Sequence, residues 1–210
     1  NSPEGSRAKD YLLKRGISQE NINCSKLGFA PDRWDTLINA LRAKNISLAL
    51  LEKAGLVLPK DGGGYYDRFR NRIIFPIIDI KERVIGFGAR VLDNTLPKYI
   101  NSPETPLYTK GKNLYGLNLS RDAIRDNDSV VIVEGYLDFM LPYQAGIKNI
   151  VASLGTALTL EQARLLKRYT HNVVMIYDGD SAGELATLRS LDIFIEEDMQ
   201  VKVVSLPQGF

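Results

Sequence analysis

The sequence predicts an α/β protein in two parts: a basic α+β subdomain over residues 1–127, then a parallel sheet flanked by helices over residues 128–210. Three observations predict it. From about Ser129 short runs that are apolar throughout alternate with helical runs, the pattern of strands buried on both faces by crossover helices. Upstream, the β-rich runs Arg72–Asp79 and Arg83–Leu92 flank a polar turn at Lys81-Glu82, which reads as a hairpin. Finally, eleven Lys and Arg residues fall between positions 68 and 125, whereas the acids Glu196, Glu197 and Asp198 gather near the far end.

Taken in order, Asn1 to Ser6 read as a frayed end, and Leu12-Leu13 as the start of a short helix that Gly16 stops. A second helix is predicted over Trp34–Lys44, with Leu37, Ile38 and Leu41 at helical spacing, and a third over Ser47–Ala54, closed by Gly55. Asp61-Gly-Gly-Gly64 reads as a flexible connection. After the hairpin, Pro97–Lys112 carries three prolines and is read as an ordered loop, long enough to suggest function. Strands follow at Val130–Val133, Asn149–Ser153, Val173–Tyr177 and Val201–Leu206; helices at Tyr136–Gln144, Thr159–Tyr169 and Ala182–Glu197 lie between them.

Composition removes several classes of chemistry. With 44% hydrophobic and 25% charged residues the chain has the makings of a packed core. No run of eighteen apolar residues and no signal pattern appear, so a soluble, cytoplasmic protein is expected. One cysteine, Cys24, excludes an internal disulfide framework or a cysteine-rich zinc site, and is expected to be a small buried residue. His171, the only histidine, leaves little for a Ser-His-Asp triad. Any metal must therefore be held by carboxylates, which favours Mg²⁺ or Mn²⁺. Trp34, the one tryptophan, is expected to pack, with base stacking as the alternative.

The acids sit where such chemistry would use them. Two predicted strands end in acid at their carboxyl edge, where open parallel sheets collect ligands: Glu134-Gly135-Tyr-Leu-Asp138 after the first, and Asp178-Gly179-Asp180 after the third. Gly135 is expected to let the backbone turn sharply after Glu134. Asp138 would project back over the first helical turn, and Asp178 and Asp180 would leave an extended segment on one side. Clustered carboxylates repel one another unless a cation sits among them, and such a cation can serve phosphoryl transfer. Either motif alone is more readily read as plain structure, Asp178-Gly-Asp180 as a turn with a helix cap; the two together are the specific signal.

The pair, Glu134-Gly-Tyr-Leu-Asp138 with Asp178-Gly-Asp180-Ser-Ala-Gly183, resembles the Toprim domain, the catalytic core shared by topoisomerases and primases, over about residues 128–210. Upstream, Asp67-Arg-Phe-Arg70-Asn-Arg72-Ile-Ile-Phe-Pro76, Val84-Ile-Gly-Phe-Gly88-Ala-Arg90 and Pro97-Lys98-Tyr-Ile-Asn101-Ser-Pro-Glu104-Thr resemble the bacterial DNA primase (DnaG-type) family. So do Lys110-Gly-Lys-Asn-Leu-Tyr115-Gly and Ala152-Ser-Leu-Gly155-Thr. The resemblance runs from about Ala8 to the end.

It implies a Toprim-type sheet and a DNA-directed RNA polymerase that makes short RNA primers on single-stranded DNA from ribonucleoside triphosphates. It further implies Mg²⁺ or Mn²⁺ held by Glu134, Asp178 and Asp180, with Asp138 supporting the catalytic site, and template or nucleotide contacts from Arg72, Arg90, Lys98 and Asn101. The family continues into an Asp-Pro-Asp pair, whereas this chain reaches Leu206-Pro-Gln-Gly-Phe210 where that pair should begin, so the last acidic motif is expected outside these residues. A zinc-binding domain before this region, a domain after it that meets the replicative helicase, and a place at the nucleoid or replisome are implied likewise. Two rival readings stay open: a non-catalytic Toprim scaffold that binds nucleic acid, and a Toprim nuclease.

Overall fold

The computed structural model describes residues 3–93, 95–154, 158–177 and 190–205. The chain packs into two compact units, Asn1–Ile77 with Val84–Thr109, and Ile78–Arg83 with Lys110–Phe210. Packing thus parts the chain near Lys110, and residues 110–127 belong with the parallel sheet.

In the first unit, helix α1 (Pro3–Lys14) begins earlier than expected. Pro3 suits a first helical turn, where its missing N–H costs nothing, and Ala8 and Leu12, four residues apart, bury one face. That burial holds as helix the residues that read as a frayed end. Helix α2 (Gln19–Cys24), capped by Ser18, and strand β1 (Gly28–Ala30) follow, both too short to stand out in the sequence. Cys24 is exposed, because the buried side of α2 is carried by Ile22. Helices α3 (Thr36–Arg42) and α4 (Leu48–Lys53) lie within the predicted spans. Gly55 ends α4 with φ 68°, and a Cβ there would lie 2.6 Å from the ring of Pro103.

Strands β2 (Val57–Pro59) and β3 (Tyr65–Asp67) pair antiparallel across the glycine run. That run is therefore a hairpin turn, closed by the Lys60 N–H donating to the Gly64 carbonyl, rather than a flexible connection. The main sheet has the order β1-β4-β5-β6, with β4 (Arg72–Ile78), β5 (Val84–Val91) and β6 (Tyr99–Asn101). Ile73, Phe75 and Ile77 of β4 are fully buried, and Arg72 and Pro76 on its other face are buried too, so both faces of the strand are covered along much of its length. β6 lies inside the region read as a loop and is held there by its antiparallel register, Arg90 opposite Tyr99 and Gly88 opposite Asn101.

The second unit holds helix α5 (Leu117–Asp126), strand β7 (Val130–Val133), helix α6 (Tyr136–Gln144), strand β8 (Ile150–Ala152), helix α7 (Leu160–Lys167), strand β9 (Asn172–Tyr177), helical residues 190–196 and strand β10 (Gln200–Ser205). The sheet order is β10-β9-β7-β8, and every pair is parallel, as the all-apolar strands predict. Val130, Ile132, Val151 and Met175 form its core with Ile124, Leu166 and Phe194. Helix α5 has no counterpart in the sequence reading because its inward stripe mixes apolar with polar residues. Ser120 is buried and donates to the Ile150 carbonyl at 2.6 Å, and Asn118 donates to the Glu82 carboxylate. Among the described residues no helix is long and apolar enough to cross a membrane.

Candidate active site and nucleic-acid interface

The acidic candidates Glu134 and Asp138 lie at the carboxyl edge of the parallel sheet. Val133 is level with Ala152 of β8, Ile132 with Met175 of β9, and Tyr177 with Ser205 of β10, so the strands finish along one edge. Glu134 is the first residue beyond β7 and is half-buried. Its carbonyl accepts from the N–H of Leu154 (2.9 Å), just beyond β8, which ties the two strand ends together.

Asp138 is exposed on the first turn of α6, and its Oδ2 accepts from the Gly135 N–H at 2.9 Å. Its carboxylate thus closes the turn after Glu134, as a helix-start acid does. Gly135 has φ −120° and ψ 175°, ordinary extended backbone. The expectation that glycine is needed there for a sharp turn is therefore replaced by a steric reason: a Cβ would lie 2.8 Å from Asp138 Oδ2.

Asp178 and Asp180 lie outside the described residues. Among the described residues no three His, Cys, Asp or Glu side chains gather as a metal site. Glu134 is a half-buried carboxylate at a strand end, and its oxygen donors fit a hard divalent cation.

The Lys110–Lys112 turn is brought to the same edge. Tyr115 bridges Ala152, the last residue of β8, with both backbone hydrogen bonds formed. Buried Gln162 donates to the carbonyls of Asn113 (2.7 Å) and Lys110 (3.3 Å), and Thr159 Oγ1 donates to that of Gly111. Thr159 and Gln162 form the capping box of α7, so one motif starts a helix and clamps a basic turn. The Thr-x-x-Gln spacing is visible in the sequence, but its partner across forty-eight positions is not.

In the first unit the four basic-site candidates collect around β4, β5 and β6, in different states. Arg72 is 9% exposed and donates to the carbonyls of Pro97 (3.0 Å) and Lys98 (3.4 Å). Burial, then the neighbouring Arg70, lowers its pKa from the ordinary guanidinium value. Arg90 is 4% exposed, donates to the Val91 carbonyl and the Tyr99 hydroxyl, and stacks on the ring of Tyr11 at 4.6 Å. Both guanidinium groups are engaged with protein. Lys98 is exposed, on the segment that Arg72 holds. Asn101, half-buried, accepts at its carbonyl from Arg68.

A second basic feature brings Trp34 together with Arg70 and Tyr66, a juxtaposition that neighbouring residues in the sequence do not reveal. Trp34 does not pack in the core; it is 59% exposed. The Arg70 guanidinium lies 4.1 Å from its ring centroid and 4.9 Å from that of Tyr66, and the two rings meet edge to face at 5.4 Å. Trp34 and Tyr66 also line an open groove of about 750 Å³ with Pro59, Lys60 and Asp61. Aromatic faces interleaved with cations are the chemistry that holds single-stranded bases and phosphates.

Residues 1–121 match the family model described as DNA primase catalytic core, N-terminal domain, and residues 131–210 match the Toprim-like model. The chain is 50% identical over its whole length to a DNA primase of Clostridium acetobutylicum, covering 35% of that protein. It is 42% identical over 99% of its length to a DNA primase of Escherichia coli K12, covering 36% of it. It therefore spans about a third of the curated relatives it matches. Among solved structures, the E. coli primase catalytic core superposes with a TM-score of 0.90 at 43% identity, over 100% of this chain and 68% of that one. A DnaG primase catalytic domain bound to single-stranded DNA superposes with 0.91 at 41% identity, over 100% and 69%.

Proposed function

Because the chain belongs to the DNA primase catalytic-core family, we propose that it supplies the template-binding surface and the catalytic sheet edge of an enzyme that joins ribonucleotides into short RNA primers on single-stranded DNA. The observation that carries this reading is the placement of Glu134 at the carboxyl end of β7, beside the end of β9, in a chain alike along its whole length to a catalytic domain that binds single-stranded DNA. In this reading the unit of residues 1–77 and 84–109 handles template and nucleotide, the unit that holds residues 110–210 forms the Toprim catalytic domain, and the protein works at the replication fork, where a helicase meets another part of it.

Glu134, Asp178 and Asp180 would hold Mg²⁺ or Mn²⁺, which when bound neutralises triphosphate charge and activates a 3′-hydroxyl. The chain's own residues do the rest. Asp138 fixes the Glu134-Gly135 turn through the Gly135 N–H, so the Glu134 carboxylate is presented without reorganisation. Arg72 and Arg90 act from within: one holds the backbone that carries Lys98, the other Tyr99. Lys98 itself offers a compact positive charge to a phosphate. Trp34, Tyr66 and Arg70 offer stacking surface to unpaired template bases.

The test is primer synthesis by the full-length protein with Mn²⁺ or Mg²⁺, ribonucleoside triphosphates and single-stranded DNA. Oligoribonucleotides from the parent and none from Glu134→Gln are expected. Full product from that variant, or none from the parent, refutes the reading.

A further inference from the structure

The exposed Trp34–Arg70–Tyr66 cluster is assembled from two segments, residue 34 before α3 and residues 66 and 70 in and after β3. One buried residue meets both. Asp67 is 3% exposed, and its carboxylate accepts from the N–H of Leu37 (2.6 Å) and of Ile38 (3.1 Å), two of the donors left without partners at the start of α3. Asp35, at the capping position, makes no side-chain cap, so the carboxylate from β3 does that work. The Asp67 N–H donates to the Trp34 carbonyl at 2.8 Å. Its carbonyl accepts from Arg70 Nη1 at 2.5 Å, and that same guanidinium lies over both rings.

We propose that Asp67 is the positioning residue of the template-stacking platform: through its carboxylate, N–H and carbonyl it sets Trp34 and Arg70 at stacking distance before any nucleic acid arrives. Asp67 does not touch template. It acts through Trp34, whose backbone it fixes, and Arg70, whose charge it aims. The chemistry is that of preorganisation: a stacking surface already ordered does not spend affinity on immobilising its side chains. The proposal rests on the reading of the platform as a single-strand contact, and the experiment separates the two.

Trp34 is the only tryptophan among these 210 residues, and subtracting the fluorescence of the full-length Trp34→Phe variant from that of the full-length protein isolates the signal of the platform. The full-length protein is titrated with oligothymidylate of about sixteen nucleotides, the upper end of single-strand site sizes, and quenching of Trp34 and the dissociation constant are recorded. Quenching is expected in the parent. In Asp67→Asn, acrylamide is expected to reach Trp34 more readily and the oligonucleotide to bind about tenfold more weakly, the scale of one lost stacking contact. Ile38→Ala, which loosens buried packing of α3 while leaving the carboxylate in place, is expected to keep parental affinity at temperatures where it is folded.

If the parent shows no quenching, the platform is not a template contact and the underlying reading fails. If the parent is quenched but Asp67→Asn binds and shields Trp34 as the parent does, Asp67 is not its positioner. Equal weakening by Ile38→Ala also overturns the proposal, since general loosening then suffices. Should Asp67→Asn not fold, hydrogen exchange of the Leu37 and Ile38 amides decides: slowing by the oligonucleotide supports the clamp, and no change overturns it.

Discussion

Gly116→Ala is the most direct test of how the Toprim-type unit holds its acidic edge. Gly116 has φ 80°, where an L residue is disfavoured by about 1–2 kcal/mol. A Cβ there would lie 2.1, 2.3 and 2.8 Å from three ring carbons of Phe139, the residue after Asp138. Phe139 is buried and cannot swing away: it meets Tyr115 edge to face at 5.1 Å and stacks on Tyr143 at 5.2 Å. Forcing a methyl into such packing costs about 1–3 kcal/mol, while the stiffer unfolded chain returns about 0.4–1 kcal/mol. The net loss is about 1–4.5 kcal/mol, which lowers the unfolding midpoint by roughly 2–18 °C for a chain of this size. Urea and thermal unfolding followed by circular dichroism measure it. Placing the change in a Phe139→Leu background should leave mainly the backbone part, about 1–2 kcal/mol. A loss below about 0.5 kcal/mol in the parent background, within the range of an ordinary surface change, refutes the steric argument. So does an equal loss in both backgrounds.

Four further outcomes are expected. Lys98→Ala should weaken single-strand binding and lower its salt dependence by about one phosphate contact, with stability unchanged within about 0.5 kcal/mol; Arg72→Met should instead lose about 2–4 kcal/mol of stability, since its buried charged hydrogen bonds to Pro97 and Lys98 go with it. Asp79 has a pKa below the usual 3.8: slight burial opposes ionisation, but hydrogen bonds from the Arg83 N–H and side chain and from the Lys81 N–H outweigh it. A depressed folded pKa stabilises above the unfolded value and is lost as pH falls through the folded one. The stability gap between parent and Asp79→Asn should thus be full at neutral pH and shrink below 3.8 in urea titrations. Burial raises Tyr115 strongly and pushes Tyr108 up to about 12. The unfolded state therefore loses these protons first, stability declines as pH rises above 10, and ultraviolet titration should find the last tyrosines ionising only with unfolding.

Much of this architecture is local information. Val130–Val133 and Tyr136–Gln144 are bounded in the structure as the residues predict, because a continuous apolar run between turn residues, then a helical period, leaves little choice. The polar turn at Lys81-Glu82 likewise sets the β4–β5 hairpin, where Asp79 receives the Lys81 and Arg83 N–H groups. Helix α5 was hidden because Asn118 and Ser120 face inward and are satisfied only by Glu82 and Ile150, thirty-six and thirty positions away.

What the sequence determined by itself is the alternation of strand and helix, the hairpin, and the acid that follows β7. Which bases are free to meet a ligand was decided only by tertiary structure: Arg72 and Arg90 are buried, Lys98 is exposed, and Trp34 stands out from the surface with Arg70 against it. Period and turn chemistry are written in neighbouring residues. Burial is not, because it depends on which distant segment arrives to accept the hydrogen bond or cover the ring, as Asp67 does for the start of α3 from thirty positions away.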